Sequence, residues 1–444
     1  MGQKGPECHN FQMVEEGADP RWCPDPELVR HLRKTFGTPL YVIDETSFRR
    51  HIRDYLKAFR KFDPRCELTF ASKANSVLGI LKIAYQEGCL IDVASEGELR
   101  AALAAGVPAD KCHLHGNNKS QREIGFAVEV GIGQIVADNF EELEVLAELG
   151  QGVEVILRLA PGVLPITNEK ISTGQQDTKF GFSVLDGAAE VGVKFCLDHQ
   201  IDLVGFHCHV GSQLLNPEAQ IAAGKRLASF AKAMHLKYGL VSKIINVGGG
   251  RAVRYTNEQP IPLEKYCEEL VAGVRSELTG SGLEPIIVQE PGRALVAESG
   301  VTIYRVGVIK NVGRTDGSFR RYIVVDGGMA ENPRPALYGA QYEVVGIASD
   351  GRELEESSAA TVSGWHCEVD LLFDNVFLPN DLKVGDFIVA LTTGAYSSSM
   401  ASNYNRFPRP QTVLIRETGE AELLQRKETF DEMMAREVMP EDLK

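Results

Sequence analysis

The chain has 444 residues, of which 43% are apolar, 24% charged and 7% aromatic. That balance belongs to a globular protein and excludes disordered and fibrous classes. Its 47 Lys and Arg stand against 61 Asp and Glu, a formal net charge of −14, so neither nucleic acid nor an anionic membrane is an expected partner.

The N-terminal stretch MGQKGPECHNFQMVEEG has no apolar core, so no secretory signal is expected there. Pro6 stands where a myristoylation motif needs Ser or Thr. No window holds 18 consecutive apolar residues, and no membrane-spanning helix is expected. The nine cysteines are scattered and odd in number. That pattern fits reduced thiols in a cytoplasm better than a disulfide framework.

LYVID (40–44) is the first strand-like segment. From about residue 66 to 295, eight short apolar runs alternate with helical stretches. They are CELTFASK (66–73), CLIDVAS (89–95), KCHLHG (111–116), GQIVADN (133–139), VEVILRLAP (153–161), LVGFHCHVG (203–211), KIINVGGG (243–250) and PIIVQEPG (285–292). Continuous apolar runs are typical of strands covered on both faces. Between the first two, Val77, Ile80, Leu81 and Ala84 follow helical spacing, with Gly88 as a stop. Glu96–Ala105 ends at Gly106, with Pro108 beyond. Eight β–α units at this length predict a (β/α)8 TIM barrel over a doubly wound open sheet.

Beyond residue 300 the pattern changes to TIYRVGVIKNV, RRYIVVDGG, QYEVVGI, AATVSGWHC, DFIVALT and TVLIRE. These read as the strands of an all-β domain. LYVID precedes the barrel, so that domain draws on both chain ends. The expected division is 1–44 joining the β domain, 45–300 as the barrel and 301–444 as the rest of the β domain. The stretch 418–444, rich in Glu, Lys and Met, reads as a surface helix or a tail.

Barrel chemistry belongs at the C-terminal strand ends. There the sequence places Lys73, Asp92, Asn117, Asp138, Arg158, His209, Gly248, Gly249, Gly250 and Glu290. A lysine desolvated at a strand end is a nucleophile for Schiff-base chemistry, although an isolated lysine more often simply reaches solvent. The triple glycine of NVGGG leaves N–H groups open to a phosphate, or is only a flexible turn. Glu290, in EPGR, can keep a ring nitrogen protonated, or pair with Arg293 as a structural bridge. His207 and His209 point one way by strand alternation. HxH suggests a metal pair, but no HExxH or CxxC supports it, and none is expected. An imidazole stacked on a planar cofactor is the better functional reading, beside that of a satisfied core histidine. Lysine, phosphate cup and ring carboxylate together point to pyridoxal 5'-phosphate.

The ordered motifs TPLYVID (38–44), FASKAN (70–75), DVASEGE (92–98), HGNNKS (115–120), STGQQDTKFGF (172–182), HCHVGSQ (207–213), NVGGG (246–250), EPGR (290–293), ENPRPALYGA (331–340), HCE (366–368) and GAYSSSMASNYN (394–405) carry a resemblance. Over about residues 25–415 the chain resembles the fold-type III pyridoxal-phosphate decarboxylases, closest to their diaminopimelate decarboxylase branch. The resemblance implies that Lys73 holds the cofactor aldehyde and that His209 stacks on the ring. It implies that Ser212, Gly248, Gly249, Gly250, Gly292, Arg293 and Tyr396 hold the phosphate region, and that Glu290 contacts the ring nitrogen. Arg293, Arg334, Tyr338 and Tyr396 are implied in binding substrate. Cys367 as proton donor and Glu368 as binder of the distal ammonium are implied to serve a partner subunit, in a homodimer with shared active sites. Arg334 and Tyr338 share a face only if their segment is helical, which Pro335 permits at a helix start.

The chain departs from the family pattern at LPITNEK (164–170) and at VDLL (369–372), one residue shorter than CESGD. Both bear on substrate choice. The implied reaction is α-decarboxylation of an amino acid, foremost meso-diaminopimelate to L-lysine. Alternatives are a related decarboxylase for ornithine, arginine or a specialised biosynthetic amino acid, and a non-catalytic regulatory homologue. Racemases of this architecture place arginine at the ring nitrogen, so Glu290 argues against that activity.

Overall fold

The computed structural model describes residues 20–150, 152–163 and 178–444. The departure at 164–170 and the first six residues of STGQQDTKFGF lie outside them. Contacts divide the chain into two units, one holding 49–253 and 258–295, the other the residues up to Phe48, 254–257 and 296–444.

Strand β1 (Leu40–Asp44) belongs to the second unit. In the first, β2 (Glu67–Ala71), β3 (Leu90–Val93), β4 (Cys112–Leu114), β5 (Gln134–Ala137), β6 (Glu154–Ala160), β8 (Leu203–His207), β9 (Ile244–Asn246) and β10 (Ile286–Gln289) form a parallel ring. The short β7 (Phe182–Ser183) pairs with β6 outside it. The ring runs β5-β4-β3-β2-β10-β9-β8-β6, and a β5–β6 ladder closes it. The eight expected runs are thus the eight barrel strands, each trimmed at its ends.

Burial explains their composition. Val136, Ile156, Val204, Ile244 and Val288 come from five different strands and pack as one cluster, in the manner of barrel layers. The intervening helices start and stop where local chemistry dictates. Ser95 and Asn139 cap Glu96–Ala104 and Phe140–Leu149 with their side chains. Gly88 and Gly106 take φ of 91° and 73° just after two helices, a conformation glycine adopts without steric cost.

The second unit is a mixed sheet of β11 (Gly300–Gly313), β12 (Phe319–Val325), β13 (Val344–Ile347), β14 (Ser357–Ser363), β15 (Leu371–Pro379), β16 (Phe387–Ala390), β17 (Gln411–Ile415) and β18 (Ala421–Gln425) around β1. β1 lies between β11, antiparallel, and β17, parallel, so both chain ends build this sheet. Its core joins Leu40 and Val42 to Val301, Ile303, Val389 and Val413.

Two strands of this unit escaped the sequence reading, as did the two-residue β7 of the first. In β15 the register with β14 shifts twice and Asn375 has φ 53°, which breaks the expected alternation. The segment read as helix or tail contains β18, a half-exposed strand on β17, before the short helix Phe430–Met434. A one-sided edge strand needs few apolar residues, so its composition resembles a surface helix. Among the described residues no helix is long and apolar enough to cross a membrane.

Gly205 in β8 is fixed by the ring itself, because a Cβ there would lie 2.1 Å from the Ile244 carbonyl oxygen of β9. Gly205→Ala is expected to cost about 1–3 kcal/mol and to lower the thermal midpoint by roughly 2–6 °C. An unchanged midpoint in a calorimetric scan would contradict this packing.

Candidate active site

Glu290 follows β10 directly and is buried with its partners at the C-terminal end of the barrel. The Nε2 of His207, the last residue of β8, donates to Glu290 Oε2 at 3.0 Å. Asn246 Nδ2, at the end of β9, donates to Oε1 at 2.6 Å. His115 follows β4, and its Nε2 lies 3.0 Å from Oε1, an ion-pair distance that falls off the line of a well-formed hydrogen bond. The same Nε2 is 3.8 Å from Asp92 Oδ1. Burial alone would raise the Glu290 carboxyl, but the imidazoles of His115 and His207 hold it well below the usual carboxylate range. Burial and the like charge of Glu290 push Asp92 up to about 6, against the pull of His115 and Lys73. Burial would lower His115, yet Asp92 and Glu290 carry it above its ordinary value. His207 is pushed down to about 4, chiefly by burial.

The triple glycine lies beside this cluster. Gly248 and Gly250 take φ of 65° and 132°. A Cβ on Gly249 would lie 2.2 Å from the Glu290 carbonyl oxygen, so only glycine lets the two turns touch. Gln220, fully buried on the helix Glu218–Tyr238, donates through Nε2 to the carbonyls of Val247, Gly248 and Gly249 at 3.1, 3.2 and 3.1 Å. Tyr266 donates its hydroxyl to Gln220 Oε1, which fixes the amide's orientation. Asn246 Oδ1 accepts from Gly248 N at 3.0 Å and so ties the glycine turn to the Glu290 cluster.

Arg293 donates to Ser212 Oγ from Nε at 3.3 Å and from Nη2 at 3.2 Å. Lys73 sits in the single turn Ser72–Ala74 that follows β2. A Cβ on Gly292 would lie 2.9 Å from Ala74 Cβ, so the EPGR turn packs directly on the lysine's turn. The lysine is exposed rather than desolvated, which corrects the expectation. Its side chain leaves the strand at the barrel rim, outside the apolar layers. It nonetheless stands close enough for its charge to act on Asp92 and His209. Burial first, and then the charges of Lys73 and Arg158, hold His209 well below its ordinary value and keep the ring neutral.

The second unit carries the other marked residues. Arg334–Tyr338 is helical with proline in its first turn, which gives Arg334 and Tyr338 their common helix. The Arg334 guanidinium lies beside the rings of Tyr255 and Tyr342, 5.0 and 5.7 Å from their centroids, and donates to the Tyr342 hydroxyl at 2.6 Å, while the two rings meet edge to face 5.1 Å apart. Tyr396 is half-buried with φ 60°. Cys367 and Glu368 are exposed on the loop after β14, where Tyr404 donates its hydroxyl to Glu368. The shortened loop is closed by Asp370. Its carboxylate accepts from His366 N at 3.0 Å and Met329 N at 2.7 Å and contacts His366 Nδ1 at 2.8 Å.

Strand-end reasoning marked Lys73, the glycines and Glu290 and weighed Arg293 beside it, the resemblance added Ser212, and all of them lie at the C-terminal ends of the barrel strands. It set His115 aside as isolated and missed Asn246 and Gln220. The signals were present. Asn246 is the one polar residue in the strand Ile244–Asn246. Gln220 shares the buried helical spacing of Ala223, Gly224 and Leu227. His115, His207 and Glu290 bring possible metal-ligand atoms within 4.8 Å of one another. The hydrogen bonds from Asn246 and His207 to Glu290, at 2.6 and 3.0 Å, describe a hydrogen-bonded carboxylate.

The family model for the pyridoxal-dependent decarboxylase, pyridoxal binding domain, matches residues 45–297. A diaminopimelate decarboxylase of Bacillus subtilis is 39% identical over 91% of this chain and 92% of its own. The crystal structure of the M. jannaschii diaminopimelate decarboxylase with L-lysine superposes with a TM-score of 0.85 at 31% identity, covering 94% of this chain and 95% of that one. The Helicobacter pylori enzyme with L-lysine gives 0.81 at 30% identity, covering 91% and 98%. The chain belongs to the pyridoxal-dependent decarboxylases, within which it groups with the diaminopimelate decarboxylases.

Proposed function

We propose that this protein removes one carboxyl group of meso-diaminopimelate, releasing carbon dioxide and L-lysine. The observation that carries the reaction type is Glu290, a buried carboxylate held as an anion where a racemase of this architecture would use arginine. The substrate follows from the likeness to diaminopimelate decarboxylases over 91% of the chain.

Bound at the strand ends, pyridoxal phosphate supplies an electron sink for the pair left on the substrate's α-carbon as carbon dioxide departs. The residues fit that group. In a planar trans peptide, a carbonyl and the following N–H point opposite ways. Gln220 holds the carbonyls of Gly248 and Gly249, so the N–H groups of Gly249 and Gly250 turn away from its helix and form an anion cup. Ser212 and Arg293 add a hydroxyl and a fixed positive charge for the phosphate. The Glu290 carboxylate holds a proton at the ring nitrogen. His209, kept neutral, offers a flat face to the ring. Lys73 is the amine that would hold the cofactor aldehyde, and its exposed position leaves it open to a substrate amine.

We assign the second unit's residues by the motifs that carry them. Tyr396 serves the phosphate and the substrate. Arg293, Arg334 and Tyr338 bind substrate carboxylates, and the Tyr342 hydroxyl and the adjoining Tyr255 ring hold the Arg334 guanidinium in place. Cys367 returns a proton to the α-carbon. Glu368 takes the distal ammonium. The exposed loop bearing Cys367, Glu368 and Val369 supports a two-fold dimer in which these residues serve the partner copy. The scattered and odd-numbered cysteines of the sequence support a reducing, cytoplasmic setting.

Incubated with pyridoxal phosphate, the protein is expected to release carbon dioxide and lysine from meso-diaminopimelate with a kcat/KM on the order of 10³-fold above that for ornithine or arginine. Release from ornithine with none from meso-diaminopimelate would overturn the substrate. Gln220→Leu removes the donor that turns the cup. Equilibrium dialysis of the apoprotein should then show pyridoxal phosphate bound about 10-fold more weakly, and an unchanged Kd contradicts the cup.

A further inference from the structure

We propose that His115 and His207 are positioning residues for Glu290, a pair of imidazoles that fix its carboxylate as an anion aimed at the cofactor ring nitrogen. The inference rests on the function proposed above and adds two residues to it.

The geometry converges from separate parts of the ring. His207 and Asn246 end β8 and β9, the neighbours leading to β10, whereas His115 follows β4, three strands from β10 on the other side, past β2 and β3. The two imidazole rings meet edge to face, 5.0 Å apart at 72°. The proton positions follow from what each atom can reach. Among the described residues His207 Nδ1 is buried without a hydrogen-bond partner, whereas Nε2 faces the Glu290 carboxylate. The neutral tautomer with its proton on Nε2 satisfies both facts. Asn246 cannot flip, because its Oδ1 already accepts from Gly248 N. With Oε1 taken by Asn246 and approached by His115, Oε2 carries the remaining lone pair.

His115 has a different task. Its Nε2 stands between Glu290 and Asp92, so one imidazolium balances two buried carboxylates. The other charged or titratable groups whose fields reach this cluster among the described residues are Arg158, Lys73, Glu98, His113, Cys208 and His209. Without a donor or a positive charge beside it, a carboxylate this deeply buried takes up a proton instead. A protonated Glu290 no longer holds the ring nitrogen's proton electrostatically, and activity is lost from the acid side.

The test uses the holoenzyme. His207→Phe keeps the ring volume and removes the donor, His207→Gln keeps a donor, and His115→Gln keeps a donor and removes the positive charge. His207→Phe and His115→Gln are expected to lower kcat by about 10- to 100-fold with KM changed less than about 3-fold, and to move the acid limb of the kcat profile up by about one pH unit or more. In both, the visible band of the bound cofactor should vary with pH over that same interval without substrate, whereas His207→Gln should stay near wild type. Unshifted acid limbs and bands in folded variants overturn the proposal. Should a variant fail to fold, ¹⁵N NMR of the wild type decides. His207 protonated on Nε2 and neutral from pH 5 to 8, in apo and holo forms alike, is expected, and a proton on Nδ1 overturns the assignment. A wild type with no cofactor band and no turnover would instead mean that the proposed function has failed.

Discussion

The Glu290 carboxylate is 7% exposed, and an anion withdrawn from water in this way costs several kcal/mol unless donors surround it. Here the donors come from strand ends that only a closed ring brings together. β8, β9 and β10 are neighbours, but His115 belongs to β4, on the far side of β2 and β3. An open sheet of the same strands would leave His115 distant. Closure and the charge state of one carboxylate are therefore linked.

That carboxylate is also joined to the triple-glycine turn, the proposed phosphate cup. Asn246 donates to Glu290 with its amide nitrogen and accepts from Gly248 with its oxygen. Gly249 packs against the Glu290 carbonyl, and Gln220 draws the cup's carbonyls back into the helix layer. The Tyr55–Gln289 hydrogen bond and the contact of Gln289 with Tyr266 continue this polar chain behind the strand ends. The anchors proposed for a ring nitrogen and for a phosphate are thus joined through Asn246 by hydrogen bonds to one stretch of backbone.

Much of this was legible in the amino-acid order, and the reasons are local. Each barrel strand is a short apolar run because both faces are covered, and each ends in a polar or glycine residue because the run meets the barrel mouth. Lys73, Glu290 and the glycines announced themselves in that way. What stayed hidden depends on register and on side-chain reach. Nothing local distinguishes His115 from His113, yet one meets Glu290 and the other is a buried neutral ring pushed down to about 4, chiefly by burial. Gln220 reads as a helix residue until the fold lays its helix behind the triple glycine. The desolvated Lys73 was a wrong inference from strand position, since a single turn carries it past the apolar layer. β15 and β18 escaped because a bulge and an exposed edge erase the alternation that marks a strand.

The central claim is that the ε-amine of Lys73 carries the cofactor aldehyde beside the Glu290 anion. Borohydride reduction of the pyridoxal-phosphate-loaded protein, followed by peptide mass mapping, tests it most directly. The account predicts a single phosphopyridoxyl adduct on the peptide bearing Lys73, at one per chain. An adduct on another lysine, such as the buried Lys119, or none at all after reduction would contradict it.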